Sequence, residues 1–345
     1  MKTLAAILVE QNKPLELGEV EIQALNYGQV LVRIHYSGIC GSQLGEIAGQ
    51  KGPDRWLPHL LGHEATATVM QVGPGVKKVE SGDAVVLHWR KGSGLEGPTP
   101  KYTWEGKTVN AGWVTTFQKL SVISENRLTK VSKDLDLESG VLYGCALTTG
   151  YGAIVRDART LPGESVIVLG AGGVGLCAIE AARIAGAYPI VAVDLYPEKL
   201  AAAKRQGASH TVVSDGNLEQ ALREIVGPQG ADVVIENTGV LDVMQVASAI
   251  TSNDRGRTVL VGVPPHDARL PLDTMPLHFG KVITGSHGGD ADPDRDIPRL
   301  VRLQQAGRLE LTNMLSHRFR LEDVNDALDA MRRGEVVRCV LDMDD

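Results

Sequence analysis

"ESVIVLGAGGVGLCAIEAARIAG", residues 164–186, changes pattern in mid-course. Val166–Leu169 is a continuous apolar run, as in a strand covered on both faces. A glycine-rich turn follows, and "LCAIEAARIA" reads as a helix stopping at Gly186. Downstream the alternation repeats: "PIVAVD", a helix through "PEKLAAAKRQG" ending near Gly207, then "HTVV", "ADVVIENTG" and "RTVLVGV". Strands alternating with helices predict an α/β fold, an open doubly wound parallel sheet built from crossover units.

The turn itself, Gly170-Ala171-Gly172-Gly173-Val174-Gly175, carries chemistry because a strand precedes it and a helix follows. Gly170 permits the tight turn, Gly172 lets backbone approach a pyrophosphate, and Gly175 lets helix and strand pack closely. The helix N-terminus offers free N–H groups to phosphate. Asp194 closes the next strand, where its carboxylate can accept from an adenosine ribose diol and would repel a 2′-phosphate. NAD is therefore expected over NADP.

The first third is β-rich: "QVLVRIHYSGIC", "EATATVMQVG" and "GDAVVLHW" are short runs punctuated by glycine and proline. After "VITGSHGGDADPD" come helices near 294–306 and 321–333 and a last strand "VVRCVLDM". That tail is too short to fold alone and is expected to pack on the first third. The nucleotide-binding domain, 148–288, is thus inserted into a β-rich domain of 1–147 and 289–345.

A net charge of −7 with no long run of one sign gives no basis for a nucleic-acid or anionic-membrane partner. The N-terminal apolar run ends at Glu10 without a cleavage site, and no run reaches membrane-spanning length. Four scattered cysteines, Cys40, Cys145, Cys177 and Cys339, argue against a disulfide framework and for a cytoplasmic location.

In "SGICGSQLGE", residues 37–46, Cys40 is open to three readings: buried thiol, redox thiol or metal ligand. "GHE" (62–64) and "YGCALTTGYG" (143–152) supply His63 and Cys145. Two cysteines and a histidine from separate segments can form a three-ligand zinc site with the fourth position open. Cys177, inside a helix, and Cys339, in a strand, are expected in the core. His59, near Pro58, is not placed to pair with His63.

"SGICGS", "LGHEATATVMQVGPGV", "CALTTGYGA", "GAGGVGL" and "GEVVRCVL", in this order along essentially the whole chain, resemble the zinc-containing alcohol dehydrogenases of the medium-chain dehydrogenase/reductase superfamily. The resemblance implies a Rossmann sheet inserted into a GroES-like catalytic domain, with Cys40, His63 and Cys145 as zinc ligands. Glu64 corresponds to an acid that either joins the metal or orients His63. Ser42 matches the hydroxyl that bonds the alcohol and relays its proton, and Trp89 a substrate-channel position. Thr149 and Val174 match residues at the nicotinamide, Lys199 one at the adenosine ribose, and Arg338 one at the pyrophosphate. Val261 and Val263 complete the cofactor set with Gly170, Gly172, Gly173, Gly175 and Asp194. The activity implied is reversible hydride transfer from an alcohol to NAD, giving an aldehyde or ketone. A homodimer or homotetramer is implied too, with "MPLHFGKVITGS" (275–286) as its surface.

Departures from the family pattern sharpen these expectations. The region 88–113, where relatives carry a four-cysteine structural zinc, has no cysteine, so one zinc per chain is expected. Its Trp89, Trp104 and Trp113 are expected to form a small aromatic cluster. Gln43 stands where an aspartate often supports the zinc-bound histidine, and its amide can accept a bond more weakly. Gly41 replaces an arginine at the pyrophosphate, and Gly45 a histidine that ends the proton relay. The relay is therefore shorter, uses a cofactor ribose hydroxyl, or ends in water. Few phenylalanines point to a polar or sugar-like substrate, and Arg90 and Lys91 read as solvated loop charges. Two other readings are a zinc-free NADPH-dependent enone or quinone reductase of the same fold, and a non-catalytic nucleotide-binding protein. Cys40, His63 and Cys145 with Asp194 oppose the first. Ser42, His63 and Thr149 together oppose the second.

Overall fold

The computed structural model describes residues 1–311 and 314–344, and the chain divides into two compact units. The first comprises Met1–Cys145, Asp292–Val301 and the chain from Leu315 on; the second comprises Ala146–Ala291 and Arg302–Met314.

In the first unit, a closed barrel joins strands Lys2–Leu8, Glu16–Ile22, Lys101–Trp104, Lys107–Asn110 and His59–Leu60. A second sheet runs Leu128–Lys130, Ala84–Leu87, Ala65–Val72, Gln29–Gly38, Cys339–Asp342 and His317–Arg320, with Leu120–Ser124 also paired to Gln29–Gly38. The tail therefore does return to the first third: Val340 pairs with Gly38 and Leu341 with Ser37. Cys339–Asp342 is buried throughout, and each such apolar side chain contributes about 1.5–3 kcal/mol.

The second unit holds a six-stranded, wholly parallel sheet. Its order is His210–Val213, Ile190–Asp194, Val166–Leu169, Val233–Glu236, Arg257–Leu260, Val282–Gly285. In chain order that is third, second, first, fourth, fifth, sixth, the arrangement of two mononucleotide-binding halves. Helix Gly173–Ala185 ends at Gly186, which is left-handed at φ 79°.

Residues 302–314 differ from the expected division, since they belong with the second unit. The reason is specific packing. The Glu310 N–H donates to Glu180 Oε1 at 2.9 Å, Gln206 Nε2 donates to the Glu310 carbonyl at 2.7 Å, and Cys177 Sγ meets Met314 Sδ at 3.5 Å. Cys177 and Cys339 are both fully buried.

Candidate metal centre and nucleotide loop

Strand pairing starts the metal site. Gln29–Gly38 and Ala65–Val72 run antiparallel with Ser37 opposite Ala65, so the chain leaving one strand lies beside the chain entering the other. The Gly38 N–H donates to the Glu64 carbonyl at 3.0 Å. Beyond Gly38, Cys40 caps helix Gly41–Ile47, and Gln43 Oε1 accepts from the Cys40 N–H at 3.0 Å, half of a capping box. A 3₁₀ turn, Val141–Gly144, delivers Cys145. Glycine is required there: a Cβ on Gly144 would sit 2.3 Å from the Leu87 carbonyl oxygen and 2.8 Å from Glu64 Cβ.

One ligand atom each from Cys40, His63, Glu64 and Cys145 lies within 4.8 Å of the others. Tetrahedral zinc needs sulfur and nitrogen atoms roughly 3.5–4 Å apart by its bond lengths, so small shifts suffice. His63 Nε2 and Glu64 Oε2 are buried and without hydrogen-bond partners, as is Ser42 Oγ two residues beyond Cys40. Orphaned buried acceptors beside two sulfurs are what a cation would satisfy.

The electrostatics agree. The hydrogen bond between the thiols lowers Cys40 well below the usual thiol range and raises Cys145 well above it. Burial pulls His63 down, but Cys40 and Glu64 more than offset it and its pKa is raised. Burial raises Glu64 against the pull of Arg338. Arg338, only 4% exposed, donates to Glu64 Oε1. The resemblance assigned Arg338 to a pyrophosphate; the structure gives it this carboxylate partner. An arginine inside the apolar run "VVRCVL" was the available signal, because a buried charge needs a counter-charge.

Gln43 does meet His63, but with its donor: Nε2 lies 2.8 Å from Nδ1, while Oε1 is held by Cys40. Metal ligation through Nε2 requires the proton on Nδ1, so the amide must then turn over. Trp89 stands edge-on to His63 with ring centroids 6.5 Å apart, and Arg90 lies 5.8 Å from the Trp89 ring centroid. Arg90 is half-buried and stacked, where a solvated loop charge was expected.

The three tryptophans do not gather. Trp104 packs on Gly18, where a Cβ would come within 2.4 Å of its ring nitrogen, and Trp113 lies under Arg127 at 5.3 Å. The hairpin Lys101–Trp104/Lys107–Asn110 is committed to the barrel, which separates them. His88 faces Thr129 and the Arg90 carbonyl. His59 pairs with Asp54 at 2.7 Å, away from the cysteines. Glu46, Asp54 and His59 form a second group with converging ligand atoms. Its histidine is already partnered.

In the second unit the glycine loop has the geometry its spacing implies. Gly170 has φ 93°, a Cβ on Gly172 would meet nothing within 4 Å, and one on Gly175 would sit 1.9 Å from the Gly170 carbonyl oxygen. Gly173 and Val174 open the helix. Asp194 Oδ2 accepts from the Ala171 N–H at 2.8 Å and Oδ1 from the Tyr196 N–H at 3.1 Å, fixing the carboxylate beside the loop. Lys199 Nζ lies 4.7 Å from the Tyr196 ring centroid. Thr149 Oγ1 is buried without a partner. Val261 is half-buried and Val263 exposed. The Val261 N–H donates to the Glu236 carbonyl at 2.7 Å.

Two family models match the chain: the alcohol dehydrogenase GroES-like domain over residues 26–133 and the zinc-binding dehydrogenase over 173–306. The S-(hydroxymethyl)glutathione dehydrogenase of Paracoccus denitrificans is 31% identical, covering 99% of this chain and 100% of that protein. Among solved structures, an alcohol dehydrogenase zinc-binding domain protein from Burkholderia ambifaria aligns with TM-score 0.90 at 30% identity. The benzyl alcohol dehydrogenase of Acinetobacter calcoaceticus aligns at 0.89 and 26%. Each structural match covers 99% of both chains.

Proposed function

The chain belongs to the zinc-containing alcohol dehydrogenases of the medium-chain dehydrogenase/reductase superfamily, and we propose that it oxidises an alcohol reversibly with NAD at a single zinc. Cys40, His63 and Cys145 would hold the ion, with the unpartnered Glu64 Oε2 in the same cluster while Arg338 anchors Oε1. Bound zinc supplies Lewis acidity to the alcohol oxygen. Ser42 Oγ would accept the hydroxyl proton and pass it to water, and NAD, when bound, would supply the acceptor for the alcohol's hydride, so that alcohol and NAD give aldehyde or ketone, NADH and a proton. Thr149 and Val174 hold the nicotinamide. Gly170, Gly172, Gly173 and Gly175 cradle the pyrophosphate. Asp194, with Lys199, binds the adenosine ribose, and Val261 and Val263 border the dinucleotide.

The observation carrying this reading is the convergence of four ligand atoms with His63 Nε2 left unpartnered. A single zinc is supported by region 88–113, whose one candidate ligand, His88, is engaged elsewhere. Relatives named for S-(hydroxymethyl)glutathione and benzyl alcohol, with Arg90 stacked on Trp89, support a substrate pairing a ring-sized or polar body with a primary alcohol. No helix among the described residues is long and apolar enough to cross a membrane. The four cysteines form no disulfide, which supports a cytoplasmic enzyme. Met275 and Phe279, 64% and 71% exposed beside the edge strand Val282–Gly285, support a homodimer or homotetramer through residues 275–286.

Metal analysis and alcohol-dependent NADH formation across a substrate panel test the proposal. Cys40→Ala should lose zinc and turnover while NAD binding stays within a few-fold. A zinc-loaded, NAD-binding enzyme inert to every alcohol would refute the reading.

A further inference from the structure

Asp294 lies in the first turn of helix Pro293–Gln305 and gathers donors from three other segments of its own unit. Lys78 Nζ and Thr129 Oγ1 each donate to Oδ1 at 2.7 Å; the Ser93 N–H and hydroxyl donate to Oδ2 at 2.6 and 2.7 Å. Burial alone would raise this carboxyl, but Lys78, Thr129 and Ser93 hold it down at about 2. The carboxylate is therefore a fixed acceptor at neutral pH. Thr129 Oγ1, its one proton committed to Asp294, lies 3.0 Å from His88 Nε2, and the Arg90 carbonyl accepts from His88 Nδ1 at 2.7 Å.

Trp89 is thereby flanked on both sides. His88 sets its ring edge against Thr129, Arg90 is tied through its carbonyl to His88, and Ser93 directly to Asp294. The backbone adds the His88 N–H on the Arg127 carbonyl at 3.0 Å and the Gly92 N–H on the Asn126 carbonyl at 2.8 Å. The loop also passes closely: a Cβ on Gly92 would sit 2.6 Å from Asp294 Oδ2. From this loop Trp89 meets the metal centre, edge-on to His63.

We propose that Asp294, holding Ser93 directly and Thr129 against the His88 ring, is a positioning residue that fixes Trp89 as the wall of the alcohol pocket and so sets the size of substrate admitted. This rests on the alcohol dehydrogenase reading above. Asp294 and Thr129 touch none of the candidate ligands, so loosening them should change which alcohols fit and leave the chemical step intact. One extra or missing methylene in an apolar pocket is worth about 10–200-fold in discrimination.

The test uses the zinc-loaded enzyme and Thr129→Val, which keeps shape and removes the hydroxyl link. Thr129→Ser restores the link, and Asp294→Asn weakens the hub. Two readouts are taken: KM and kcat for benzyl alcohol against ethanol, and amide hydrogen exchange over residues 88–95. Thr129→Val and Asp294→Asn should raise KM for the larger alcohol by about tenfold. Its kcat, and both constants for ethanol, should stay within about threefold, and exchange over 88–95 should quicken. Thr129→Ser should return both readouts to wild type. Equal losses on both alcohols, or unchanged exchange over 88–95, would overturn the proposal. A wild-type enzyme inert to every alcohol of the substrate panel would sink the functional reading instead, and is told apart because exchange needs no turnover.

Discussion

Gln43 Nε2 lies 2.8 Å from His63 Nδ1, so the amide offers a donor where a metal-binding imidazole needs an acceptor. The Cys40 N–H holds the amide in that sense through Oε1. A carboxylate would accept from both groups at once. Gln43→Glu should therefore tighten zinc by about 10–100-fold, the range seen for such supporting partners. Competition with a chromophoric chelator measures it, and an unchanged or weaker affinity would show that the amide does not limit binding.

Arg338 is the counter-charge of a fully buried Glu64. Arg338→Met should destabilise the enzyme by about 3–5 kcal/mol, because a carboxylate is left buried and unpaired. Arg338→Met combined with Glu64→Gln should recover much of that loss. Urea titration of the two singles and the double measures the coupling. A double variant as unstable as the sum of the singles would contradict it.

Asp194 is expected to choose the dinucleotide. Asp194→Ser removes charged acceptors for the ribose diol, and such bonds contribute about 1.5–3 kcal/mol. The ratio of kcat/KM for NAD over NADP should fall by about 10–100-fold. Because Oδ2 also accepts from Ala171, KM for both dinucleotides should rise as well. A preserved ratio would remove Asp194 from the ribose site.

His88, 1% exposed, has its pKa pushed from 6.5 down to about 4, chiefly by burial and then by Lys78 against the Arg90 carbonyl and Asp294. The folded state thus favours the neutral ring. Between pH 6.5 and 4 the unfolded chain takes up a proton here that the folded chain does not, so stability falls as pH falls. The full effect is about 3 kcal/mol, since a tenfold change in proton affinity corresponds to roughly 1.4 kcal/mol. Urea midpoints at pH 7, 5.5 and 4.5 should decline less steeply in His88→Gln than in wild type. Parallel declines would show that His88 does not carry this slope.

How much of this was legible in the sequence depended on range. The parallel sheet and its glycine loop were readable because the relevant pattern is local: Val166–Leu169, the turn and helix Gly173–Ala185 adjoin one another. The cluster of Cys40, His63 and Cys145 joins distant segments through strand pairing, and only the family resemblance connected them. Residues 302–314 were assigned to the wrong unit because their partners, Glu180, Gln206 and Cys177, give no periodic signal. The tryptophans were expected together from proximity in sequence, but the barrel hairpin sends them to different neighbours. The orientation of Gln43 follows from a single backbone N–H that no composition or spacing reports.

The strand Cys339–Asp342 lies between Gln29–Gly38 and His317–Arg320, and the residue just before it supplies the cation on Glu64. On the ribosome, Cys40, His63 and Cys145 emerge long before their supporting strand exists. The parallel sheet, complete by Gly285, can form in the interval, while the first unit waits with one sheet edge bare and a carboxylate lacking its counter-ion. Metal capture should therefore come among the last events of biogenesis.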